Sequence, residues 1–203
     1  MKFLLLILTL CMAMSGLAAT TKSPASEVGV PPGKYPEKSI YRLSSTWVTD
    51  ARKEIRLDSL RGKPVVMALI FTNCQHSCPF IVREMMSLQS ALTKRASDKT
   101  QFLLVSIDPE RDTPEVLRAF RAKHRIPAER WMLVTGATES VRQLAEKLSF
   151  SYAPGSKLQF AHSLLVTVLD DKGVIAHQQA GLGVDRRGAI STLEKLAKSK
   201  SGR

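Results

Sequence analysis

Two cysteines, Cys74 and Cys78, are the side chains of this 203-residue chain whose type and spacing best support chemistry. They follow residues 65–71, a continuous apolar run typical of a buried strand, and lead into residues 79–93, which have helical apolar spacing. At such a junction the free N–H groups and the dipole of the helix stabilise a thiolate and lower the cysteine pKa. A thiolate attacks disulfides, reacts with peroxide and binds soft metals, so the junction predicts a redox pair, a metal site or both.

The spacing of the two cysteines favours metal binding over a ready-made disulfide. Cysteines four residues apart on one helical turn have Cβ atoms about 5–6 Å apart, whereas a disulfide prefers about 3.5–4.5 Å. A metal ion with bonds of about 2.3 Å to sulfur bridges the wider separation without strain. Two simpler interpretations stay open: a structural disulfide in an exported domain, and a pair of cysteines that fill space in the core.

A metal held by two thiolates needs a further ligand, and four histidines are available: His76, His124, His162 and His177. We select His162, because it opens a predicted buried strand, 162–169, where the order of the sheet can bring it beside the cysteines. His76 points away from both cysteines on a regular helix, while His124 follows a helix end and His177 lies on a hairpin strand at an edge. Two thiolates and one imidazole suit copper, as Cu(I) and also as Cu(II). Zinc normally takes four protein ligands, and no convincing fourth is apparent.

The elements that must position these residues alternate between strands and helices. This order predicts one α/β domain with a mixed central sheet and helices on both faces. The predicted strands are a hairpin of 47–48 and 55–57, then 65–71, 102–107, 131–134 and 162–169, which turns at 171–173 into 174–177. The predicted helices are 79–93, a helix capped by Thr113 and extending through Phe120, 140–148 and 185–197.

The amino-terminal residues predict export. Lys2 is followed by an apolar run, 3–14, and then by small residues, which is the pattern of a signal peptide. These residues are too few to span about 30 Å of hydrocarbon at about 1.5 Å per residue, so we expect cleavage near Ala18 or Ala19. We predict a periplasmic protein whose membrane contact is peripheral or through an uncleaved signal. The predicted divisions are a signal peptide (1–19), a Pro/Gly-rich linker or arm (20–40) and one folded domain (41–203).

Composition and charge limit the classes of function that fit this chain. A content of 44% hydrophobic and 24% charged residues is typical of a globular domain and excludes a disordered chain. Thirty Lys and Arg against 18 Asp and Glu give a net charge of +12, which suits nucleic acid, an anionic membrane surface or an acidic protein. Export argues against nucleic acid, and the sequence contains no RNA- or DNA-reading motif.

Three segments together resemble the Sco/SenC family. They are Cys74-x-x-x-Cys78-Pro79 after the buried strand, Val105-Ser106-Ile107-Asp108-Pro109-Glu110-Arg111-Asp112-Thr113-Pro114 near the middle, and His162-Ser163 later in the chain. The resemblance covers about residues 41–196. It implies a thioredoxin-like fold in an exported copper chaperone, with Cys74, Cys78 and His162 as the copper ligands.

The resemblance also implies a client. Such proteins assemble the binuclear copper centre in subunit II of cytochrome c oxidase by delivering copper, by reducing the cysteines of that subunit, or both. A thioredoxin-like reductant is a further expected partner. Asp108 is expected to tune or approach the site, and helix-entry and turn chemistry is the alternative for this residue. Family members are often tied to the membrane by an amino-terminal helix, which this chain replaces with a signal-like stretch.

The main alternative function is that of an enzyme. In a periplasmic thiol–disulfide oxidoreductase without a copper-delivery role, Cys74 attacks and Cys78 resolves the mixed disulfide. The two functions use the same sulfurs and do not exclude each other, so the sequence leaves open whether the chain is an enzyme. A peroxidase is a more distant alternative, because the Thr/Ser and Arg expected around a peroxidatic cysteine form no local pattern.

Overall fold

The computed structural model describes residues 35–74, 77–153, 161–162, 165–181 and 185–199, with the backbone alone for 152–153 and 161–162. The strands in this part of the chain are β1 (Thr46–Thr49), β2 (Glu54–Arg56), β3 (Val65–Ile70), β4 (Gln101–Ser106), β5 (Trp131–Gly136), β6 (Tyr152–Ala153), β7 (Ala161–His162), β8 (Leu165–Leu169) and β9 (Ile175–Ala180). The α-helices are α1 (Ser77–Ala91), α2 (Lys94–Lys99), α3 (Pro114–Lys123), α4 (Thr138–Lys147) and α5 (Arg187–Lys198).

Seven strands form one mixed sheet in the order β2-β1-β5-β4-β3-β8-β9. The three central strands β3, β4 and β5 are parallel, whereas β1 and β8 join this group antiparallel. All six residues of β3 are buried, as expected for a strand covered on both faces. The predicted mixed central sheet is therefore confirmed.

Helices cover both faces of this sheet. On β9, an added Cβ at Gly188 would lie 2.7 Å from His177 Cε1, so α5 packs directly on the His177 face. The next residue, Gln178, points to the opposite face, where its Nε2 donates to the carbonyl oxygen of Leu148, just beyond α4, at 2.9 Å. Helix α1 lies on the α5 face, because Arg186 at the start of α5 pairs with Glu84.

The predicted site residues lie near one edge of the sheet, where β3 and β4 end and β8 begins. Strands β3 and β4 run parallel, with Ile70 paired to Ser106, so the loops after both strands emerge together. Strand β8 runs antiparallel to β3, with Val166 paired to Ala68, and therefore begins near this edge. In an α/β sheet this is the edge where binding sites gather.

Several local predictions are confirmed. Strands β1 and β2 form the expected antiparallel hairpin. Thr113 caps α3, because its hydroxyl accepts from the Val116 N–H, and Pro114 occupies the first helical turn. His177 lies on β9, which is an edge strand of the sheet, as expected.

The segment predicted as one strand, 162–169, takes part in two sheets. His162 belongs to β7, which pairs with β6 in a two-stranded ladder, while Leu165–Leu169 form β8 in the central sheet. The apolar pattern of 162–169 cannot distinguish these two pairings, because it records side-chain character and not the partner strand. Helix α2 was not predicted from the sequence. It is a short helix capped by the Thr93 hydroxyl, which accepts from the Ala96 N–H.

The segment before β1 packs onto the domain. Ser39 and Ile40 are fully buried. The Ser39 hydroxyl donates to the carbonyl oxygen of Lys172, and the Ile40 N–H donates to the carbonyl oxygen of Gly173, in the β8–β9 turn. The predicted signal peptide lies outside the described residues. Among the helices that are described, none combines the length and apolar character needed to cross a bilayer.

Candidate functional site

The first cysteine lies in a turn that precedes the helix. The Cys74 N–H donates to the carbonyl oxygen of Phe71 at 3.3 Å, which closes a β-turn directly after β3. Helix α1 begins at Ser77, so Cys78 lies in its first turn and Cys74 lies outside it. The expectation that both cysteines share one helical turn is therefore wrong, because the turn redirects the chain before the helix starts. His76, between the cysteines, lies outside the described residues.

The Cys74 sulfur nevertheless sits over the start of the helix. It accepts the Cys78 N–H at 3.2 Å and lies 3.1 Å from the Ser77 hydroxyl oxygen. Unpaired N–H groups at a helix start carry partial positive charge and favour an anion. These contacts support the thiolate form at Cys74. No disulfide joins Cys74 and Cys78 in this structure.

The two sulfurs differ in their surroundings. Cys74 is half-buried, whereas Cys78 is fully buried. Burial is the main cause that raises the pKa of the Cys78 thiol, and the backbone of Phe71 acts in the opposite direction. The pair therefore consists of an outer cysteine whose sulfur accepts the Cys78 N–H and an inner cysteine whose burial disfavours the thiolate form.

A buried carboxylate lies behind the cysteine turn. Asp112 Oδ2 accepts the Thr72 N–H at 3.1 Å and the Ser106 hydroxyl at 2.6 Å, while Oδ1 accepts the Thr72 hydroxyl at 2.5 Å. Burial raises the pKa of Asp112, and its hydrogen bonds with Ser106 and Thr72 act in the opposite direction. The sequence did not single out Asp112, because its partner Thr72 is 40 residues away.

Asp108 has a different environment. Its carboxylate pairs with the Arg111 guanidinium at 2.5 Å, and this contact raises the pKa of Arg111. Its carbonyl oxygen accepts the N–H groups of Arg111 and Asp112, which closes the turn that leads into α3. These contacts favour the alternative of turn chemistry over a direct contact with the cysteines.

The histidines fall in separate places. The His162 backbone pairs with Tyr152 in the β6–β7 ladder, and its side chain lies outside the described part of the structure, so its role as a ligand stays a prediction. His124 follows α3 and packs on the Phe120 ring at 4.3 Å between centroids. Burial is the main cause that lowers the pKa of His124. Among the described side chains, no group of three or more His, Cys, Asp or Glu residues is placed to hold a metal.

Comparison with known sequences identifies a family. A sequence model described as SCO1/SenC matches residues 37–198. A SCO1 protein homolog of Bacillus subtilis (strain 168) is 34% identical over 88 residues, which are 43% of this chain and 45% of that protein. A protein of Stutzerimonas stutzeri that is described as copper-binding is 26% identical over 133 residues, 63% of this chain and 64% of that protein. The matched regions thus span less than two thirds of the length of these relatives.

Solved structures share the fold. A SCO1/SenC family lipoprotein from Bacillus anthracis str. Ames has a TM-score of 0.69 at 26% identity, over 75% of this chain and 92% of that chain. BsSco, described as a Sco-family cytochrome c oxidase assembly protein with a disulfide switch, has a TM-score of 0.66 at 25% identity, over 76% and 92%. Bradyrhizobium japonicum ScoI with copper bound has a TM-score of 0.61 at 20% identity, over 75% and 96%. The predicted thioredoxin-like architecture is confirmed.

Proposed function

The chain belongs to the SCO1/SenC family, and from this membership we propose that it is an exported copper chaperone. In this proposal it delivers copper to the binuclear copper site of cytochrome c oxidase subunit II, reduces the cysteines of that site, or does both. Support comes from the relative described as copper-binding, from the related fold solved with copper bound and from the relationship to an oxidase assembly protein.

The observation that carries the proposal is the arrangement of the two sulfurs. Cys74 is half-buried and its sulfur contacts the Cys78 N–H and the Ser77 hydroxyl, so this residue is the one of the pair that an incoming ion or partner reaches first. Cys78 lies behind it as a buried thiol. Soft thiolate donors select Cu(I) over hard cations, so the donor set fits copper as cargo.

Burial of Cys78 favours a cation as the species that the two sulfurs bind. Burial disfavours the charged form of Cys78, and this effect raises the pKa of the thiol. A bound monovalent cation offsets the charge that the second sulfur acquires when it loses its proton. Copper uptake therefore releases protons and requires the reduced pair, since a disulfide has no thiolate to offer.

His162 is proposed as the third donor. Its position in the fold supports this role: β8 enters the sheet near the edge from which the cysteine turn leaves. His162 precedes Leu165, the first residue of β8, by three positions, a separation that the backbone spans in about 10 Å when extended. A neutral imidazole beside two thiolates also makes the site tolerant of Cu(II).

Thiol–disulfide exchange is the second candidate function, and the inequality of the two cysteines favours it. The Cys74 thiolate attacks a disulfide of the client and forms a mixed disulfide, releasing one client thiolate. Cys78 then loses its proton and attacks the Cys74 sulfur, which releases the second client thiol. The client gains two electrons, the Cys74–Cys78 disulfide forms, and a thioredoxin-like reductant restores the dithiol.

The proposed location and partner are based on the sequence. We propose a periplasmic protein with a signal peptide at 1–19, a linker or arm at 20–40 and one domain at 41–203, in contact with the membrane peripherally or through an uncleaved signal. The net charge of +12 favours docking on an acidic client domain, mainly by raising the rate of association.

A Cu(I) titration tests the proposal. The reduced protein is titrated in competition with a chromophoric Cu(I) chelator, and we expect one tightly bound equivalent. Replacing Cys74 or Cys78 with Ser abolishes this binding. His162→Ala weakens copper retention yet leaves most thiol exchange with a model disulfide intact.

His124→Ala is the matched histidine control. His124 lies beyond the carboxyl end of α3, and ten helical residues separate it from the Asp112 end by about 15 Å. We expect wild-type copper affinity in this variant. Failure of the reduced wild type to bind one equivalent, or unchanged affinity in His162→Ala, rejects the copper-carrier role and leaves thiol exchange as the function.

A further inference from the structure

The buried carboxylate of Asp112 joins three segments that are distant in sequence. It accepts hydrogen bonds from Thr72 after β3 and from Ser106 at the end of β4, while Asp112 itself precedes α3. Asp112 is 1% exposed and Ser106 is 0% exposed, so water does not compete strongly for these contacts. The carboxylate therefore holds the cysteine turn against the β4–α3 loop.

The attachment point lies within the turn that carries the outer sulfur. Thr72 is the second residue of the turn that the Cys74 N–H closes onto Phe71. Asp112 holds Thr72 by both its backbone N–H and its hydroxyl. Two contacts to one residue restrain both its position and its rotation, and two positions later the chain presents the Cys74 sulfur to the start of α1.

We propose that Asp112 is the positioning residue of the cysteine turn, holding Cys74 over the amino-terminal end of α1. The carboxylate acts through Thr72 and not by contact with the cargo. The inference rests on the proposed function to the extent that it takes Cys74 and Cys78 as the functional pair. It reassigns the role expected of Asp108, whose carboxylate pairs with Arg111.

Asparagine at position 112 separates positioning from charge. Asp112 Oδ2 accepts two hydrogen bonds, from the Thr72 N–H and the Ser106 hydroxyl, and the side-chain carbonyl of Asn reproduces both. The Asn amide nitrogen takes the place of Oδ1 and donates to the Thr72 hydroxyl, which reverses from donor to acceptor. Asp112→Asn therefore keeps the links and removes the charge, whereas Asp112→Ala removes both.

The test measures the contact that the turn creates, without copper. Hydrogen exchange of the Cys78 amide, followed by NMR in the reduced protein, reports whether the N–H remains bonded to the Cys74 sulfur. We expect Asp112→Ala to lower its protection about tenfold, which corresponds to the loss of buried hydrogen bonds. Thr72→Val, which removes one of the three bonds, lowers it about threefold, and Asp112→Asn stays within about twofold of the wild type.

Copper affinity is the second readout. We expect it to fall most in Asp112→Ala, less in Thr72→Val and least in Asp112→Asn. The control is Asp50→Ala, which removes another buried carboxylate, paired with Arg121 at 2.5 Å. This variant lowers global stability without a selective effect on the Cys78 amide. If Asp112→Ala fails to fold, Thr72→Val and Asp112→Asn decide the question.

The outcomes separate the two proposals. Unchanged Cys78 protection in Thr72→Val, or equal loss in Asp112→Asn and Asp112→Ala, overturns the positioning role. Wild-type protein that retains no copper but shows the expected exchange pattern rejects the copper-carrier function and leaves the positioning role of Asp112 supported.

Discussion

The Ser77 hydroxyl is expected to stabilise the Cys74 thiolate, and Ser77→Ala tests this. The substitution removes the oxygen 3.1 Å from the Cys74 sulfur and leaves the Cys78 N–H in place at 3.2 Å. A hydrogen bond to a charged group contributes about 1.5–3 kcal/mol. Because Cys74 is half-buried and water replaces part of the lost contact, we expect a loss of about 1 kcal/mol.

This loss predicts a measurable change in reactivity. At about 1.4 kcal/mol per factor of ten, the ratio of thiolate to thiol at Cys74 falls about fivefold at a given pH. The assay is iodoacetamide labelling of the reduced protein across a pH series, with the Cys74 and Cys78 peptides quantified separately by mass spectrometry. Cys78 remains poorly labelled in the folded protein, because it is fully buried.

Ser77→Thr is the matched control, because it keeps a hydroxyl at the first residue of α1. We expect Cys74 in this variant to label as in the wild type, and urea unfolding verifies that both variants are folded. A Ser77→Ala profile identical to the wild type, or equal loss in Ser77→Thr, would refute the idea that this hydroxyl stabilises the thiolate.

Two further predictions concern the packing of the segment before β1. Tyr41→Phe is expected to raise the unfolding free energy at pH 7 by about 1 kcal/mol, because the Tyr41 hydroxyl is buried without a hydrogen-bond partner among the described residues. Burial also raises the pKa of Tyr41, so the unfolded state loses this proton near pH 10 while the folded state keeps it. The unfolding free energy of the wild type therefore falls more steeply than that of Tyr41→Phe as the pH rises above about 10. Urea unfolding at pH 8 and pH 10.5 measures the difference. An equal fall in both proteins contradicts the prediction. Gly173→Ala is expected to cost about 2 kcal/mol or more, because Gly173 has φ +74° and an added Cβ would lie 2.7 Å from the Tyr41 ring. Urea unfolding checks this, and a loss below about 0.5 kcal/mol contradicts the expected clash.

The strands and helices predicted from local residue patterns are found in the structure. The apolar run at 65–71 predicts β3, whose residues are all buried in the middle of the sheet. The Thr113 cap and the Pro114 that follows it mark the start of α3. These features depend on residues within one turn or one strand of each other, so spacing and residue type are sufficient to predict them.

Periodicity does not determine which distant segments pair with each other. Periodicity predicts that 162–169 is extended, which holds for β7 and β8, yet it cannot assign His162 to a ladder with Tyr152 and Leu165 to the central sheet. The position of Cys74 also depends on longer-range order. Asp112 is 40 residues from Thr72 in sequence, and its carboxylate holds Thr72 in the turn before the helix.

The identity of the chemical groups was readable from the amino acids alone. Two soft sulfur donors follow a buried strand, and Cys74 was selected from the sequence as the attacking sulfur. Which carboxylate supports them was decided by the sheet. Asp108 and Asp112 lie in the same loop, and the pairing of β3 beside β4 brings Asp112 to Thr72 while Asp108 closes a turn with Arg111. Contacts of this kind form between strands that are neighbours in space and not in sequence, so tertiary packing selects them.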